Sequence, residues 1–471
     1  MLVRQIADSK LAQFAYLVGC PATGEAMVID PQRDVDRYFD EAARHGLRLV
    51  AAADTHIHAD YVTGLREMAE RGLRVYGSKE GGADWQYEWL AGSAYQYQLL
   101  GDGDTFRVGN IEFKVVHTPG HTPEHLAYLV RDGGAGASEY IAMASGDFVF
   151  VGDVGRPDLL ERAAGVEGVM VPSARAQFRS IERSFKTLPE FLQVWPGHGA
   201  GSACGKSLGD IPMSTVGYEL RFNPSVRATD TEQHFVEFIL AGQPEPPAYF
   251  ARMKHTNRQG PAVLGQLPRP REVALAEVAR FDDRLDLTVV DTRSRKEFFA
   301  GHLRRSILAE RDYQLSAVAG SYVDPAQAVC LVARPSDVEQ VVRELVRVGI
   351  DRVEHFITPE TLAAYAAAGG ALRTTPTIDM AELELRRRAG GVTVLDVRGT
   401  AEFEAGHVPG AVHIPHTRVG QQAGTLPLGQ PVLVHCRSGA RAAAAVSMLE
   451  RLGFEAVDVN DLFAHYRESA A

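Results

Sequence analysis

An internal repeat constrains the fold of the C-terminal half of this chain more than any other feature. The segment LTVVDTRSRKEFFAGHL, residues 287–303, recurs as VTVLDVRGTAEFEAGHV, residues 392–408. The matched pairs are Asp291 with Asp396, Arg293 with Arg398, Glu297 with Glu402, Phe298 with Phe403, and His302 with His407. In each copy a strand, a turn and an amphipathic helix are followed by a second apolar strand, AVCLVAR or PVLVHCR. The repeat predicts two α/β domains of about 100 residues each.

The rest of the chain is organised by strand and linker patterns. Its 471 residues are enough for several domains with separate cores. The N-terminal part alternates helical stretches with short apolar strands such as AMVID, IEFKVVHT and YIAMASGD, which end in polar, Gly-rich or His-bearing loops. A stretch rich in Pro and Gly, roughly 243–272, predicts a linker. We therefore predict domains at residues 1–250, 265–372 and 374–471.

The charge and cysteine content exclude several classes of protein. A net charge of −11 argues against nucleic-acid partners and anionic membrane surfaces. No apolar run approaches the ~18 residues of a membrane helix, and the N-terminal sequence lacks a signal-peptide pattern. The four cysteines are too widely spaced for a disulfide framework. We expect a cytoplasmic protein with reduced cysteines, and a homo-oligomer.

Metal-ligating side chains follow several of the predicted N-terminal strands. Histidine and carboxylate at strand ends are the donors that a borderline or hard metal ion prefers. The candidates are His56, His58 and Asp60 in THIHADYVTG, His117 and His121 in HTPGHTPEH, Asp147 in SGDFVF, His198 in WPGHG, and Cys204 in GSACGK. Their positions predict a metal site formed by strand-end loops.

These motifs resemble a known superfamily. THIHAD, TPGHT, GD and PGHG, in this order, resemble the metallo-β-lactamase superfamily, and GDFVFVGDVGRPDLL resembles its persulfide dioxygenase branch. GSACGK and the EFILAGQPEPPAYFARMKHTNRQGP stretch resemble the bacterial form fused to rhodanese domains. The resemblance implies an αββα sandwich followed by two α/β rhodanese-like domains with central parallel sheets. It also implies one Fe(II) per chain, held by His56, His121 and Asp147.

Tyr61 bears on the number of metal ions. Hydrolases of this superfamily that hold two zinc ions carry His at this position. The second metal would need Asp60, residue 61, His198 and a bridging Asp147. A phenol is a poor replacement ligand because its pKa is near 10, so Tyr61 favours one metal. His58, Asp60 and His198 then either orient ligands and handle protons or are packing residues of the fold, and both interpretations stay open.

Two further residues have open roles. Arg156 in GDVGRPD could bind the carboxylate of a thiol carrier or an anionic sulfur product. Alternatively, it braces its loop through Asp153 or Asp158. Cys204 is either a buried, inert thiol or a reactive one whose pKa is lowered by Lys206 and which holds sulfur near the metal.

A second kind of site lies in the last domain. In VLVHCRSGARAAAAVSML a strand runs into Cys436, a short loop and an Ala-rich helix, so backbone N–H groups and a helix N-terminus face the sulfur. Arg437 and Arg441 add positive charge for thiosulfate or sulfite. The pattern resembles a rhodanese with catalytic Cys436. Phosphatases with a similar loop need five residues between Cys and Arg, one more than this loop has.

The middle domain lacks this loop. Aligning the second strands places Ala333 opposite Cys436, while Cys330 lies three residues earlier within the strand. We therefore expect an inactive rhodanese-like domain that acts as a spacer or docking wall.

These observations lead to one main functional hypothesis and two alternatives. The main one is a bifunctional enzyme that oxidises glutathione persulfide, or another small-thiol persulfide, with O₂ to sulfite and thiol. The same enzyme would transfer sulfur among thiosulfate, sulfite and persulfide through Cys436. The first alternative is a zinc-dependent thioester hydrolase, like glyoxalase II, fused to a sulfurtransferase. In the second, the repeated domains form a docking or sulfur-sensing module.

Overall fold

The structure is a computed structural model that describes residues 1–163, 165, 167–282 and 284–469. Residues 470–471 of the predicted third domain lie outside the described part. The chain forms two compact units. The first contains Met1–Pro246 and Phe250–Gly265, and the second contains Pro247–Tyr249 and the chain from Gln266 onward.

The first unit contains two mixed six-stranded sheets with strand orders β1-β2-β3-β4-β5-β6 and β12-β11-β10-β9-β8-β7. The first sheet is antiparallel from β1 to β3 and parallel from β3 to β6. In the second sheet only the β10–β11 pair is parallel among the described strands. The strands are β1 Leu2–Asp8, β2 Gln13–Cys20, β3 Glu25–Ile29, β4 Arg48–Ala53, β5 Arg74–Ser78, β6 Tyr97–Leu100, β7 Thr105–Val108, β8 Ile111–His117, β9 Leu126–Asp132, β10 Ala142–Gly146, β11 Gln193–Pro196 and β12 Ser214–Thr215.

The two sheets face each other across a shared core. Alternate residues of β8, namely Ile111, Phe113 and Val115, are buried, as expected for a strand with one face on a core. They pack with residues of the other sheet such as Tyr16 and Met27. The helices of this unit are α1 Asp36–Arg44, α2 Leu65–Glu70, α3 Leu159–Arg162, α4 Met170–Ser180, α5 Val216–Phe222, α6 Pro224–Arg227, α7 Glu232–Leu240 and α8 Phe250–Gln259.

Helices cover the outer faces of both sheets. Helices α1 and α2 pack against the first sheet, and α4 and α7 pack against the second. The layers are therefore α, β, β, α, and the predicted sandwich is confirmed. None of the helices in the described residues is long and apolar enough to cross a membrane.

Helix α8 lies within the stretch that the sequence analysis assigns to a linker. Its Asn257 is fully buried and donates hydrogen bonds to the backbone carbonyls of His58 and Tyr61, both at 2.8 Å. The Asn257 amide oxygen accepts the backbone N–H of Thr63 at 3.0 Å. This part of the stretch therefore belongs to the first unit and fastens the loop that carries the THIHAD motif.

The second unit contains two all-parallel five-stranded sheets with the same topology, β13-β17-β16-β14-β15 and β18-β22-β21-β19-β20. The elements of the first copy are β13 Arg271–Glu272, β14 Leu287–Asp291, α9 Arg295–Ala300, β15 Ile307–Leu308, α10 Leu315–Tyr322, β16 Ala328–Val332, α11 Val338–Arg347, β17 Val353–Ile357 and α12 Pro359–Ala367. Those of the second copy are β18 Thr377–Ile378, α13 Met380–Ala389, β19 Thr393–Asp396, α14 Thr400–Glu404, β20 Val412–His413, α15 Val419–Gln422, β21 Val432–His435, α16 Ala440–Arg451, β22 Ala456–Val459 and α17 Phe463–Ser469. The predicted pair of α/β domains with central parallel sheets is confirmed.

The repeated residues make the same contacts in both copies. Arg293 forms a bidentate ion pair with Asp291 and donates to a backbone carbonyl eight residues on in sequence. Arg398 does the same with Asp396. Each pair closes the turn that follows β14 or β19, which explains why the DxR spacing recurs.

Removing the Asn257 anchor is expected to destabilise the first unit. Asn257→Ala leaves two buried carbonyls and one buried N–H without their partner, so the free energy of unfolding should fall by about 3 kcal/mol. All three tryptophans lie in the first unit, so urea unfolding followed by tryptophan fluorescence reports on it selectively. Thr256→Ala, which removes only a bond within the same helix, is the control. Equal midpoints for the two variants would contradict this role.

Candidate metal centre and cysteine loop

The candidate ligands of the first unit lie in loops that follow strands of both sheets. The THIHAD loop follows β4, the TPGHT loop follows β8, Asp147 follows β10 and His198 follows β11. The side chains of His56, His121 and Asp147 are almost completely buried. The sandwich therefore brings together residues that are up to about 140 positions apart in sequence.

Three of them form a compact donor cluster. One ligand atom each from His56, His121 and Asp147 lies within 4.8 Å of the others. The Nε2 atoms of His121 and His56 lie 3.4 and 4.0 Å from the same Asp147 oxygen. Both Asp147 oxygens are buried without a hydrogen-bond partner. A buried carboxylate without donors, faced by two imidazole nitrogens, fits a bound cation.

Burial sets the protonation of this cluster. It raises the pKa of Asp147 to about 6, lowers the pKa of His121 to about 3, and lowers the pKa of His56 well below its usual value. Both histidines are therefore neutral near pH 7, which is the form that can ligate a metal.

Hydrogen bonds fix which nitrogen of each histidine faces the cluster. The Nδ1 of His56 lies 2.9 Å from the Thr55 hydroxyl, which donates to Asp30 at 3.0 Å. The hydroxyl must therefore accept from His56 Nδ1, and the lone pair of Nε2 is left for a ligand. The Nδ1 of His121 lies 2.9 Å from the carbonyl of Arg156, with the same consequence.

His125 supports Asp147 and was not among the predicted site residues. Its Nε2 accepts the backbone N–H of Asp147 at 3.0 Å, and its Nδ1 lies 2.8 Å from the Thr118 hydroxyl. It is the last residue of HTPGHTPEH, the motif that also contains the candidates His117 and His121. His117 itself does not join the cluster, since its ring bonds to the carbonyl of Pro123 at 2.8 Å.

A second donor group adjoins the first. Ligand atoms of Asp60, His198 and Cys204 lie within 4.8 Å of one another. The Nε2 of His198 lies 3.4 Å from Asp60 and 3.5 Å from the second oxygen of Asp147. A two-metal site would need a ligand at residue 61, which is a tyrosine here, whereas the structure brings Cys204 to this group.

Tyr61 and His58 belong to a hydrogen-bonded network behind the cluster. The Tyr61 hydroxyl lies 2.9 Å from His58 Nε2, and burial raises the pKa of Tyr61 well above its usual value. His58 Nε2 also lies 3.2 Å from Asp30. Burial opposes the charged form of His58, but the adjacent Asp30 and Asp54 carboxylates outweigh it and raise its pKa to about 9. His58 groups with these two carboxylates rather than with His56 and His121.

Arg156 is engaged within the protein. Its guanidinium forms a bidentate pair with Asp158 at 2.7 and 2.8 Å and donates to the carbonyls of Ala203 and Pro244. Of the two interpretations from the sequence, this arrangement supports the brace over a substrate contact. Its backbone carbonyl meanwhile orients His121.

Of the two interpretations of Cys204, the structure supports the buried thiol over one whose pKa is lowered by Lys206. The Lys206 ammonium group donates to the carbonyls of Phe238 and Ala241. Burial, with the charges of Asp147 and Asp60, raises the pKa of Cys204 well above its usual value. A chain neighbour with a suitable charge was a misleading signal because its side chain points to another partner.

The cysteine loop of the second unit lies between a strand and a helix, as its sequence predicts. Cys436 is buried at the end of β21, and the loop leads into α16. The backbone N–H of Gly439 donates to the Cys436 sulfur at 3.1 Å, with Gly439 in a left-handed conformation at φ 92°. Arg441 forms a bidentate pair with Glu402 at 2.6 and 2.9 Å, and the Arg437 side chain is exposed.

The corresponding place in the middle domain carries no cysteine. Ala333 follows β16, and a short 3₁₀ turn, Pro335–Asp337, leads directly into α11. Cys330 is buried inside β16, where burial raises the pKa of its thiol.

The fold and these two sites define a metal-binding αββα sandwich joined to a cysteine-loop α/β domain. Residues 9–198 match the metallo-beta-lactamase superfamily, and residues 379–462 match the rhodanese-like domain family. A crystal structure of a metallo-beta-lactamase from Staphylococcus aureus subsp. aureus COL is 37% identical, with a TM-score of 0.68. The match covers 76% of this chain and 99% of that one. The chain therefore belongs to the metallo-beta-lactamase superfamily, and it carries a C-terminal rhodanese-like domain.

Curated relatives differ in their activities. The mitochondrial persulfide dioxygenase ETHE1 of Bos taurus is 27% identical over 244 residues, which is 51% of this chain and 80% of the relative. A hydroxyacylglutathione hydrolase of Glaesserella parasuis serovar 5 (strain SH0165) is 28% identical over 245 residues, which is 46% of this chain and 88% of the relative.

Two histidines of one motif provide a matched test of the metal centre. His121→Ala removes a ligand and is expected to lower metal affinity by about 100-fold or more, because even supporting residues contribute 10–100-fold. His117→Ala removes a histidine four residues away that does not join the cluster. Elemental analysis after gel filtration should find metal in the second variant and little in the first. Equal metal content would exclude His121 as a ligand.

Proposed function

We propose that this chain is a bifunctional enzyme of sulfur metabolism. Its first unit would oxidise a low-molecular-weight thiol persulfide, such as glutathione persulfide, with O₂ at one Fe(II) held by His56, His121 and Asp147. Its C-terminal domain would transfer sulfur through Cys436. The observation that carries the first half is the buried Asp147 carboxylate, whose oxygens lack a hydrogen-bond partner and face the neutral imidazoles of His56 and His121.

The overall reaction at the metal centre would be RSSH + O₂ + H₂O → RSH + SO₃²⁻ + 2H⁺. The outer sulfur loses four electrons, which O₂ accepts. Two histidines and one carboxylate leave coordination positions open, so bound Fe(II) would bring the persulfide sulfur and O₂ together and supply the redox chemistry. The contribution of the chain is to hold both histidines neutral, fix their orientation through Thr55 and the Arg156 carbonyl, and keep water out.

A small apolar cavity, with room for about one water molecule, lies beside His121. Its volume is about 20 Å³, and Ile57, Trp85 and Phe250 are among its walls. Lys254 of α8 also lines it, with its ammonium group 3.7 Å from the centroid of the Trp85 ring. A half-buried cation next to apolar walls suits a thiol carrier that bears a carboxylate.

Cys436 would act as the sulfur carrier. Its thiolate would attack the sulfane sulfur of thiosulfate, the S–S bond of thiosulfate would break, and sulfite would leave with the electron pair. The product is a cysteine persulfide whose charge the Gly439 N–H and the nearby Arg437 and Arg441 would stabilise. The sulfite that one site forms is a substrate or product of the other, which gives the fusion a chemical rationale.

The persulfide dioxygenase relatives and the rhodanese-like domain together support this assignment. It is tested by an oxygen electrode with glutathione persulfide as substrate and a sulfite assay of the product. The proposal requires O₂ uptake and sulfite in equal amounts. Hydrolysis of a glutathione thioester without O₂ uptake would contradict it.

One observation favours a second candidate function, a two-metal hydrolase. The group of Asp60, His198 and Cys204 could hold a second ion, with Asp147 bridging. A hydroxyacylglutathione hydrolase is among the relatives. Against this, residue 61 is a tyrosine, whose phenol is a poor metal ligand and whose hydroxyl lies 2.9 Å from His58 Nε2.

Cys204→Ala separates the two functions. If the protein holds one iron, the metal content per chain should be unchanged, because Cys204 is not among its ligands. If it is a two-metal hydrolase, the content should fall from two equivalents to one. Elemental analysis of the wild type and the variant, purified side by side without added metal, provides the measurement.

Two buried cysteines in equivalent domains test the sulfurtransferase activity. Cys436→Ser should abolish the formation of thiocyanate from thiosulfate and cyanide, because no thiolate is left to carry the sulfur. Cys330→Ser, in the middle domain, should keep it. Both variants should retain O₂ uptake with glutathione persulfide. Full thiocyanate formation by Cys436→Ser would refute the assignment.

A further inference from the structure

The middle domain lacks a cysteine loop of its own but contributes an arginine to the loop of the last domain. Arg295, the first residue of α9, donates from Nη1 to the carbonyl of Ser438 at 3.1 Å. Its guanidinium is so close to Gly439 that a Cβ on that glycine would lie 2.8 Å from Nη1. Arg295 is not one of the matched residues of the repeat, because Thr400 occupies the equivalent position in the last domain.

The contact involves the peptide unit that faces the sulfur. The Ser438 carbonyl and the Gly439 N–H are the two ends of one peptide bond, which is planar. The carbonyl accepts from Arg295, and the N–H donates to the Cys436 sulfur at 3.1 Å. A charged donor on the carbonyl polarises this peptide and strengthens its N–H as a donor. It also fixes the direction in which the N–H points.

The two repeats are held together firmly enough to keep this contact in place. Helix α16, which directly follows the cysteine loop, is tied to the middle domain along its length. Its Ser447 hydroxyl accepts the backbone N–H of Leu308 at 2.9 Å, and its Arg451 donates to Thr288 at 3.0 Å. Arg295 is itself anchored, since its backbone N–H donates to Glu310 at 2.7 Å.

We infer that Arg295 of the middle domain is a positioning residue for sulfur transfer at Cys436, because it orients and polarises the Ser438–Gly439 peptide that stabilises the sulfur anion. The inference rests on the proposed function of Cys436. It gives the middle domain a role although it has no reactive cysteine. The residue acts through the peptide and does not touch the sulfur.

The role has a consequence for each half-reaction. In the first, the Cys436 thiolate forms an S–S bond with the sulfane sulfur of thiosulfate, and sulfite leaves with the electron pair of the broken bond. In the second, cyanide takes the outer sulfur as thiocyanate, and the thiolate is regenerated. In the second half-reaction negative charge develops on the Cys436 sulfur as the outer sulfur leaves, so a weaker Gly439 N–H donor slows turnover more than it weakens the binding of thiosulfate.

The test compares full-length wild type, Arg295→Ala, Arg295→Lys, Lys296→Ala and Cys436→Ser in the thiosulfate–cyanide assay. Arg295→Ala should lower kcat by about 10-fold to 100-fold, the usual cost of losing a supporting partner, and change KM by less than about twofold. Arg295→Lys, which keeps a charged donor, should restore part of the kcat. Lys296→Ala removes the same charge from the next residue, whose side chain is exposed, and should match wild type.

Each result has one interpretation. If wild type forms thiocyanate, Cys436→Ser does not, and Arg295→Ala equals Lys296→Ala, the positioning role is overturned while the sulfurtransferase function stands. If wild type itself is inactive, the proposed function fails. Should Arg295→Ala melt well below wild type, a stably folded Arg295→Lys variant decides. A partial loss of kcat at unchanged KM supports the inference, and a loss confined to KM overturns it.

Discussion

The first unit depends on one buried carboxylate. Asp147 lies at the edge of the sandwich with neither oxygen hydrogen-bonded, and a bare carboxylate in such a place is costly unless a cation compensates it. The surrounding residues orient the carboxylate and its neighbours for that cation. His125 holds the backbone of Asp147, the Thr55 hydroxyl and the Arg156 carbonyl turn two imidazole nitrogens towards it, and burial keeps these imidazoles neutral. The metal is thus part of what makes this arrangement stable.

The sequence predicted much of the fold because its patterns are local. The repeat predicted two domains of the same topology. The DxR spacing reflects an ion pair between residues two positions apart in sequence. The strand-end histidines could be found for the same reason, since loops after neighbouring strands converge. The sequence could not show which residues far apart along the chain contact each other. Asn257 lies in a Pro- and Gly-rich stretch, yet its side chain reaches a loop almost 200 residues away.

A charged residue close in sequence to a site residue was the least reliable indicator of the contacts that the site residue makes. Lys206 stands two residues from Cys204 but bonds elsewhere, whereas Arg295 is 143 residues from Ser438 and contacts it directly. Cys204 joins Asp60 and His198 only because the loops that follow β4 and β11 meet. In both units, residues that contact the proposed site come from distant segments of the chain. The middle domain contributes one of them, Arg295, although it has no cysteine loop of its own.

We propose that this centre holds a single iron. X-ray absorption at the iron edge of the purified protein, without added thiol, tests it most directly. For a single iron we expect only nitrogen and oxygen ligands, and no second metal at ~3.5–4 Å, the separation found in two-metal sites. The contrary result is a metal neighbour at that distance together with a sulfur ligand at ~2.3 Å, the distance of a metal-bound cysteine. It would show that Cys204 completes a second metal site and would contradict a single-iron centre.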